Sequence, residues 1–254
     1  MNNSEFIVDF LYKKGLTDVF SIVGGHSLFL NHAFHNSSAF KVTYFHHEQS
    51  ASMAADSYSR ISNKPAIVNI SAGPAALNTL NGLYGSFVDS IPVIYISGQP
   101  KISQNVGYTG IPLRQFGDQE FDRISELVSS ITKYSCKITL SSNIEYELSK
   151  AFNYAVGSRP GPVWIDIPMD VQSHDYINIP TKVFKSINTS HKNYYLKKAS
   201  NAQIQLVIDQ LKISKRPLLY VGPGIRAYGA YSHFIELINE LNIPIVTSWN
   251  AHDL

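Results

Sequence analysis

The segment FHHEQSASMAADSYSR, residues 45–60, places two histidines and a glutamate where an apolar run ends and a helix-forming segment begins. Imidazole and carboxylate groups often act as general acids and bases in enzymes. A carboxylate such as Glu48 can instead interact with the dipole at a helix N-terminus, which is a purely structural role. Both roles remain open for Glu48 on this segment alone.

The adjacent histidines, His46 and His47, have the same ambiguity. No third ligand follows them at the spacing of a zinc site, so the segment does not predict a metal centre. In the structural alternative, one histidine packs against a sheet and the other faces solvent.

Small and polar residues also follow three other apolar runs. Gly24 and Gly25 come after the first run, SAGPAALN occupies residues 71–78, and SGQP occupies residues 97–100. Taken singly, each set reads as an ordinary turn. If the runs are parallel strands, however, all of these residues lie at the carboxyl edge of one sheet, where such sheets bind ligands.

The elements that position these residues can be predicted from hydrophobic periodicity. Short β-branched runs alternate with segments of helical period, which predicts an α/β fold with a doubly wound, mostly parallel sheet and helices on both faces. The predicted strands are DVFSIVGG, KVTYFH, AIVNIS, PVIYISG, YSCKIT and GPVWIDIP. The predicted helices are EFIVDFLYKKG, SASMAADSYSR, AALNTLNGLYGSF, a segment near FDRISELVSSI, and NIEYELSKAFNYAVG.

The chain changes character after residue 172. Residues 173–200 lack sustained periodicity and carry many Asn, Ser, Lys and Thr residues, which predicts an exposed linker. Residues 201–254 contain only two predicted helices and two predicted strands, and an isolated pair of strands is marginally stable in water. We therefore expect a first domain at 1–172, a linker, and the start of a second α/β domain at 201–254.

Composition excludes several classes of protein. With 44% apolar and 16% charged residues and a formal charge of +2, the chain has a globular composition without a basic stripe for nucleic acid or an anionic membrane. No signal-peptide pattern or membrane-length apolar run occurs, so we expect a cytoplasmic protein. A single cysteine, Cys136, excludes an intrachain disulfide and has no adjacent histidine to activate it, which favours a packing role.

Six collinear motifs give the chain a family resemblance. They are VGG at 23–25, HHEQSASMAADSYSR at 46–60, SAGPAALNTLNGLYGSFVDSIPVIYISGQ at 71–99, PLRQFGDQEFD at 112–122, ITK at 131–133 and RPGPVWIDIPMDVQ at 159–172. Together they resemble the pyrimidine-binding domain of thiamine-diphosphate-dependent enzymes of the acetolactate synthase and 2-oxoacid decarboxylase superfamily. RPLLYVGPGI and NIPIVTSWNAHD resemble the opening of that family's central domain. GGHSLFLNHAF and PLRQFGDQE are most similar to acetolactate-synthase-like proteins of bacterial surface-polysaccharide clusters.

The resemblance implies roles for individual residues. Glu48 would be the catalytic carboxylate that hydrogen-bonds the aminopyrimidine ring nitrogen of thiamine diphosphate and promotes the imino tautomer. Gly24 and Gly25 would let the backbone approach the pyrimidine. Pro74 and Asn78 match the family's GPG..N turn, although Ala75 replaces the second glycine. Gln115 would lie in a loop over the substrate side; the alternative is an exposed loop amide.

The family holds the diphosphate and its Mg²⁺ with a C-terminal domain that carries GDG followed by NN, and this motif does not occur in these residues. The resemblance therefore implies the N-terminal portion of a longer enzyme, inactive by itself. It also implies at least a homodimer, because the site in relatives is assembled between two subunits. Some relatives bind FAD along the central domain, so VGPGI at 221–225 could contribute to an FAD site in the complete enzyme.

Two functional classes remain on the sequence. The first is part of a carboligase or decarboxylase acting on pyruvate or a similar 2-oxoacid. The second is a non-catalytic pyrimidine domain that serves as a dimerisation or partner-binding module. The presence of Glu48 favours the enzyme, while the donor and acceptor substrates are not specified by these residues.

Overall fold

The computed structural model describes residues 1–254 except 112–114, 117–118, 121–122, 141, 158, 179–198 and 253, and it leaves the side chains of 115, 116, 119 and 120 undescribed. The strands are β1 Asp18–Ser21, β2 Lys41–Tyr44, β3 Ala66–Ile70, β4 Val93–Gln99, β5 Gln115–Phe116, β6 Gln119–Glu120, β7 Tyr134–Lys137, β8 Val163–Pro168, β9 Leu219–Val221 and β10 Ile245–Thr247. The helices are α1 Asn3–Lys13, α2 Leu28–Asn36, α3 Glu48–Ser62, α4 Pro74–Asn78, α5 Leu80–Asp89, α6 Val106–Thr109, α7 Ile124–Leu127, α8 Ile144–Val156, α9 Met169–Ser173, α10 Asn201–Ile213, α11 Gly224–Ala227 and α12 Tyr231–Leu241.

Six parallel strands form the main sheet in the order β2-β1-β3-β4-β8-β7. The predicted α/β fold with a mostly parallel sheet is therefore confirmed. Successive strands lie on opposite sides of β1, because β2 pairs with one of its edges and β3 with the other. This reversal of strand order is the place where doubly wound sheets open a crevice for ligands.

Helices cover both faces of this sheet, which explains why its central strands are apolar throughout. Alternate residues of a strand point to opposite faces. On β4, Ile94 and Ile96 join a core with α1, α2 and α8, whereas Val93 and Tyr95 join a second core with α3, α5 and α7. Every residue of β3, β4 and β8 is consequently buried.

Close packing between α3 and α5 fixes the helix that begins at Glu48. A Cβ added to Gly82 would lie 2.2 Å from the Ser52 hydroxyl oxygen, so only glycine allows this approach. The Ser52 hydroxyl bonds the Thr79 carbonyl at 3.0 Å and the Tyr95 hydroxyl at 2.7 Å. The axial position of α3 is thereby fixed against both α5 and the sheet.

The N-terminus of the chain packs against residues that follow the last strand of the sheet. The Asn3 backbone N–H donates to the His174 carbonyl at 2.9 Å, and the Asn3 side chain donates to the Val171 carbonyl at 2.8 Å. The Phe6 and Tyr176 rings stack with centroids 3.7 Å apart. These contacts join α1 to α9.

The chain folds as two compact units, residues 1–195 and 196–254. In the second unit, β9 and β10 pair in parallel and are accompanied by α10, α11 and α12. The two helices and two strands predicted for this segment are present. Most of the predicted linker lies outside the described residues, so its boundaries stay a prediction. None of the described helices is both long and apolar enough to cross a bilayer.

Cys136 lies on β7, half-buried against the core. Burial raises the pKa of its thiol to about 12, and the negative charge of Glu147 contributes to this rise. The thiol therefore stays protonated at neutral pH and is a poor nucleophile. This agrees with the packing role predicted from the sequence.

Candidate active site

The carboxyl ends of four neighbouring strands bring the candidate residues to one edge of the main sheet. Ser21, at the end of β1, pairs with Tyr44 of β2 and with Asn69 of β3. Ile70, the last residue of β3, pairs with Ser97 of β4. The segments that follow these strands consequently meet at this edge, as expected for a parallel sheet.

Glu48 is the first residue of α3, and the preceding residue supplies the helix N-cap. The Nδ1 atom of His47 accepts a hydrogen bond from the Gln49 backbone N–H at 3.1 Å. Both His46 and His47 are exposed, so the alternative in which one histidine packs against the sheet is wrong. His47 therefore positions the start of the helix that carries Glu48.

A hydrogen bond joins Glu48 to Asn78, two residues that lie 30 positions apart. The Nδ2 atom of Asn78 donates to Oε2 of Glu48 at 2.9 Å. Glu48 is half-buried, and its Oε1 accepts no hydrogen bond from any described residue. One carboxylate oxygen is thus held by the protein, and the other is available to a ligand.

The turn before Asn78 accommodates Ala75 without strain. The positive φ that favours glycine occurs at Gly73, with φ 58°, and Pro74 then begins α4. Ala75 lies inside this helix and is absent from the positive-φ residues of the described chain. The substitution of alanine for the family's second glycine therefore leaves the turn and Asn78 in place.

Gly24 and Gly25 have different surroundings. A Cβ added to Gly24 would lie 2.4 Å from Cβ of Ser71, so Gly24 is required for close packing against the start of the β3–α4 loop. A Cβ added to Gly25 would have no atom within 4 Å. Of these two glycines, Gly25 therefore faces space that a ligand could occupy.

Gln115 lies in β5, which pairs antiparallel with β6 through Gln115 and Glu120. Its side chain lies outside the described part of the structure, as does most of the PLRQFGDQEFD motif. The position of Gln115 over the substrate side stays a prediction.

Two buried amides, one at the end of β4 and one six residues later, have no role predicted from the sequence. Gln99, the last residue of β4, and Asn105 are both fully buried, and none of their side-chain polar atoms has a hydrogen-bond partner among the described residues. Buried amides are nearly always hydrogen-bonded, so this is unusual. Gln99 could have been identified from the sequence, because it is a polar residue at the end of the apolar strand VIYISGQ.

These residues fit the pyrimidine end of thiamine diphosphate. Such a ring needs open space for its flat face and a hydrogen-bonding partner for its nitrogen. The open side of Gly25 can supply the space, and Oε1 of Glu48 can supply the partner. Val23 and Leu28 flank the glycines with 69% and 53% of their surface exposed, and they offer apolar contact for a ring. The site therefore combines an available carboxylate with an apolar, open surface.

Family models match both units. Residues 1–125 match the model described as thiamine pyrophosphate enzyme, N-terminal TPP binding domain, and residues 204–254 match the central domain of the same enzymes. Together these matches cover most of the chain in the order in which the two domains occur in the family.

Individual relatives give the same assignment. The chain is 30% identical over 247 residues to the acetolactate synthase large subunit of Lactococcus lactis, which covers 97% of this chain and 41% of that protein. It is 29% identical over 255 residues to acetolactate synthase isozyme 3 large subunit of Escherichia coli, covering 98% of this chain and 41% of the relative. The chain thus spans less than half the length of these relatives.

Solved structures share the fold. A putative thiamin diphosphate-dependent enzyme from Mycobacterium smegmatis superposes with a TM-score of 0.77 at 22% identity, covering 98% of this chain and 44% of that one. A thiamine diphosphate-dependent 4-hydroxybenzoylformate decarboxylase from Rhodococcus jostii gives a TM-score of 0.76, again at 22% identity and with the same coverage. At this identity the likeness shows the fold alone.

Proposed function

Because the chain belongs to the thiamine pyrophosphate enzymes, we propose that it is the N-terminal portion of a carboligase or decarboxylase acting on pyruvate or a similar 2-oxoacid. The resemblance predicted from the six motifs is confirmed. The acetolactate synthases among its relatives support a carboligase in particular. The activity of the whole protein is a proposal, because the chain covers 41% of these relatives.

The observation that carries this proposal is the pairing of Glu48 with Asn78 at the ligand-binding edge of the sheet. A carboxylate needed only to stabilise a helix end would require no side-chain donor from another helix. Here Asn78 holds Oε2 at 2.9 Å, and Oε1 accepts no bond from the described residues. This arrangement suits a carboxylate that exchanges a proton with a bound ring.

When bound, thiamine diphosphate supplies the nucleophilic carbon and the electron sink for reactions of 2-oxoacids. The residues of this chain place and activate its pyrimidine ring. Asn78 fixes the orientation of the Glu48 carboxylate, and Oε1 of Glu48 would hold the proton that is exchanged with the ring nitrogen. Gly25 leaves room for the ring, and Pro74 begins the helix that presents Asn78. Gly24 contributes indirectly, by allowing the turn to pack on Ser71.

The diphosphate and Mg²⁺ would be held by residues outside this chain. We therefore expect the 254-residue chain alone to bind thiamine diphosphate weakly and to release no carbon dioxide from pyruvate. Isothermal titration calorimetry with the cofactor and Mg²⁺ measures the first quantity, and micromolar affinity would contradict the prediction. The full-length protein that contains this chain should release carbon dioxide from pyruvate only when thiamine diphosphate and Mg²⁺ are both added. Absence of carbon dioxide release with both present would contradict the proposed function.

We also propose that the first unit forms a homodimer through α4 and α5. Leu77, Tyr84 and Val88 lie on these helices and are 44–54% exposed. The segment AALNTLNGLYGSF contains four small residues that permit close helix contact, Ala75, Ala76, Gly82 and Gly85. Of these, Ala76 and Gly82 are buried within the chain, and Gly82 serves the contact with α3. Ala75 and Gly85 therefore remain for a contact with a second copy.

We expect a dimer at tens of micromolar protein in sedimentation velocity, because an interface of standard size should be populated at that concentration. Tyr84→Glu should shift the protein to monomer, since a carboxylate would be buried without a partner. Ile61→Glu is the matched control, because Ile61 is 79% exposed near the end of α3 and outside α4 and α5. A wild-type monomer, or equal behaviour of the two variants, would argue against this interface.

The remaining details are proposals for the complete enzyme. VGPGI at 221–225 spans the end of β9 and the start of α11 and could contribute to an FAD site. Membership of a surface-polysaccharide gene cluster rests on the GGHSLFLNHAF and PLRQFGDQE variants alone. Residues 1–172 remain the proposed extent of the pyrimidine-binding domain, supported over residues 1–125 by the family match.

A further inference from the structure

Gln172, a residue of α9, makes hydrogen bonds to three separate parts of the first unit. Its Nε2 donates to the His26 carbonyl at 2.7 Å and to the Ile167 carbonyl at 2.7 Å. Its Oε1 accepts from the Leu30 backbone N–H at 3.4 Å. The side chain is fully buried, and all of its hydrogen-bonding groups are used.

The bond to Leu30 replaces a missing helix cap. Leu30 is the third residue of α2, and Ser27, at the N-cap position, makes no side-chain capping bond. The first N–H groups of a helix need partners outside the helix. Gln172 supplies one of these partners from 142 residues further along the chain.

The turn formed by residues 24–27 is therefore held from two sides. On one side, the Ser27 hydroxyl donates to the Gly24 carbonyl at 3.2 Å and accepts from Asn31 at 3.0 Å. On the other side, the His26 carbonyl accepts from Gln172 and lies against β4, where a Cβ on Gly98 would come within 2.0 Å of it. The turn includes Gly25, whose open side is part of the candidate site.

We propose that Gln172 is a positioning residue that holds the turn at residues 24–27 against the sheet and so keeps the space beside Gly25 open for the pyrimidine ring. The position of the turn follows from contacts within this chain. The consequence for the cofactor rests on the proposed function.

The first test uses amide hydrogen exchange of the 254-residue chain without cofactor. In Gln172→Met, which keeps the length of the side chain but removes its hydrogen bonds, the amides of Ser27 and Leu30 should exchange about tenfold faster. Ser59→Ala is the matched control, because the Ser59 hydroxyl also makes two hydrogen bonds, to Pro92 and Ala66, far from the turn. In that variant the exchange rates of the Ser27 and Leu30 amides should change less than about twofold.

The second test uses the full-length protein. Gln172→Met should raise the half-saturating concentration of thiamine diphosphate by roughly tenfold and leave kcat within about threefold, because the turn affects binding of the cofactor and not its chemistry. Gln172→Asn, whose shorter amide cannot span the same carbonyls, should show the same pattern and provides a second variant if Gln172→Met does not fold.

The outcomes separate the two proposals. If exchange at Ser27 in Gln172→Met matches that in Ser59→Ala, Gln172 does not position the turn. If the amide exchange rates rise in Gln172→Met but the half-saturating concentration of thiamine diphosphate does not, the turn has no role in cofactor binding. If exchange rises and the wild-type full-length protein does not use thiamine diphosphate at all, the positioning role stands and the proposed function is wrong.

Discussion

Glu48→Gln in the full-length enzyme should lower turnover of pyruvate about 10²–10⁴-fold, the usual effect of losing a positioned acid–base group. Glutamine has nearly the same shape and can still accept a hydrogen bond from Asn78. It cannot exchange a proton with the pyrimidine nitrogen. Stability should change by less than about 1 kcal/mol, because the group lies at a helix N-terminus and is only half-buried.

Glu5→Gln provides the control for this experiment. Glu5 also lies in the first turn of a helix, where its carboxylate accepts from the Asn2 backbone N–H at 2.9 Å. It is part of α1 and not of the candidate site. Carbon dioxide release from pyruvate and the thermal midpoint should be measured for both variants. Near-wild-type turnover of Glu48→Gln would reduce Glu48 to a helix-terminal carboxylate and contradict the catalytic role proposed for it.

Gly98→Ala should destabilise the first unit by about 1–3 kcal/mol, the usual cost of overpacking a tight contact. The added Cβ would lie 2.0 Å from the His26 carbonyl oxygen and 2.6 Å from the Ser27 nitrogen. Both are backbone atoms, so relief requires movement of the whole turn at residues 24–27. Urea unfolding followed by circular dichroism measures the loss.

Gly25→Ala separates overpacking from the general effect of adding a methyl group to this turn. Its Cβ would meet nothing within 4 Å, so the free energy of unfolding should stay within about 0.5 kcal/mol of wild type. In the full-length enzyme the same variant should weaken cofactor binding, because the methyl group enters the space proposed for the ring. Equal stability of the Gly25 and Gly98 variants would contradict the contact described for Gly98.

The fold was largely predictable because its strongest signal is local. Strands β3, β4 and β8 are buried on both faces and so read as continuous apolar runs, and helical segments separate them. The strand order was not predictable, because it depends on which runs pair across the sheet.

Helix α2, residues 28–36, was not predicted. Its N-terminus lacks a side-chain cap from its own sequence, since Gln172 provides the hydrogen bond instead. The single helix predicted for AALNTLNGLYGSF is in fact α4 and α5, which meet at Thr79. These errors occur where tertiary contacts override local patterns.

In the candidate site, too, the local features were predictable and the tertiary contacts were not. Glu48 was identified because a carboxylate at a strand-to-helix junction is visible in the sequence. Its contact with Asn78 and the hydrogen bonds of Gln172 join residues 30 and up to 146 positions apart, and such bonds leave no periodic signal. The different surroundings of Gly24 and Gly25 depend on Ser71 and likewise emerge only in three dimensions.

The packing of α1 against α9 has a consequence for biosynthesis. Asn3 is synthesised 168 residues before its partner Val171. At about 5–20 residues per second, roughly 10–30 s separate the synthesis of Asn3 from that of Val171, so the contacts between α1 and α9 form late. Until then α1 can pack only against segments made earlier, such as α2, and we expect the side of α1 that α9 covers to stay accessible to chaperones on the nascent chain.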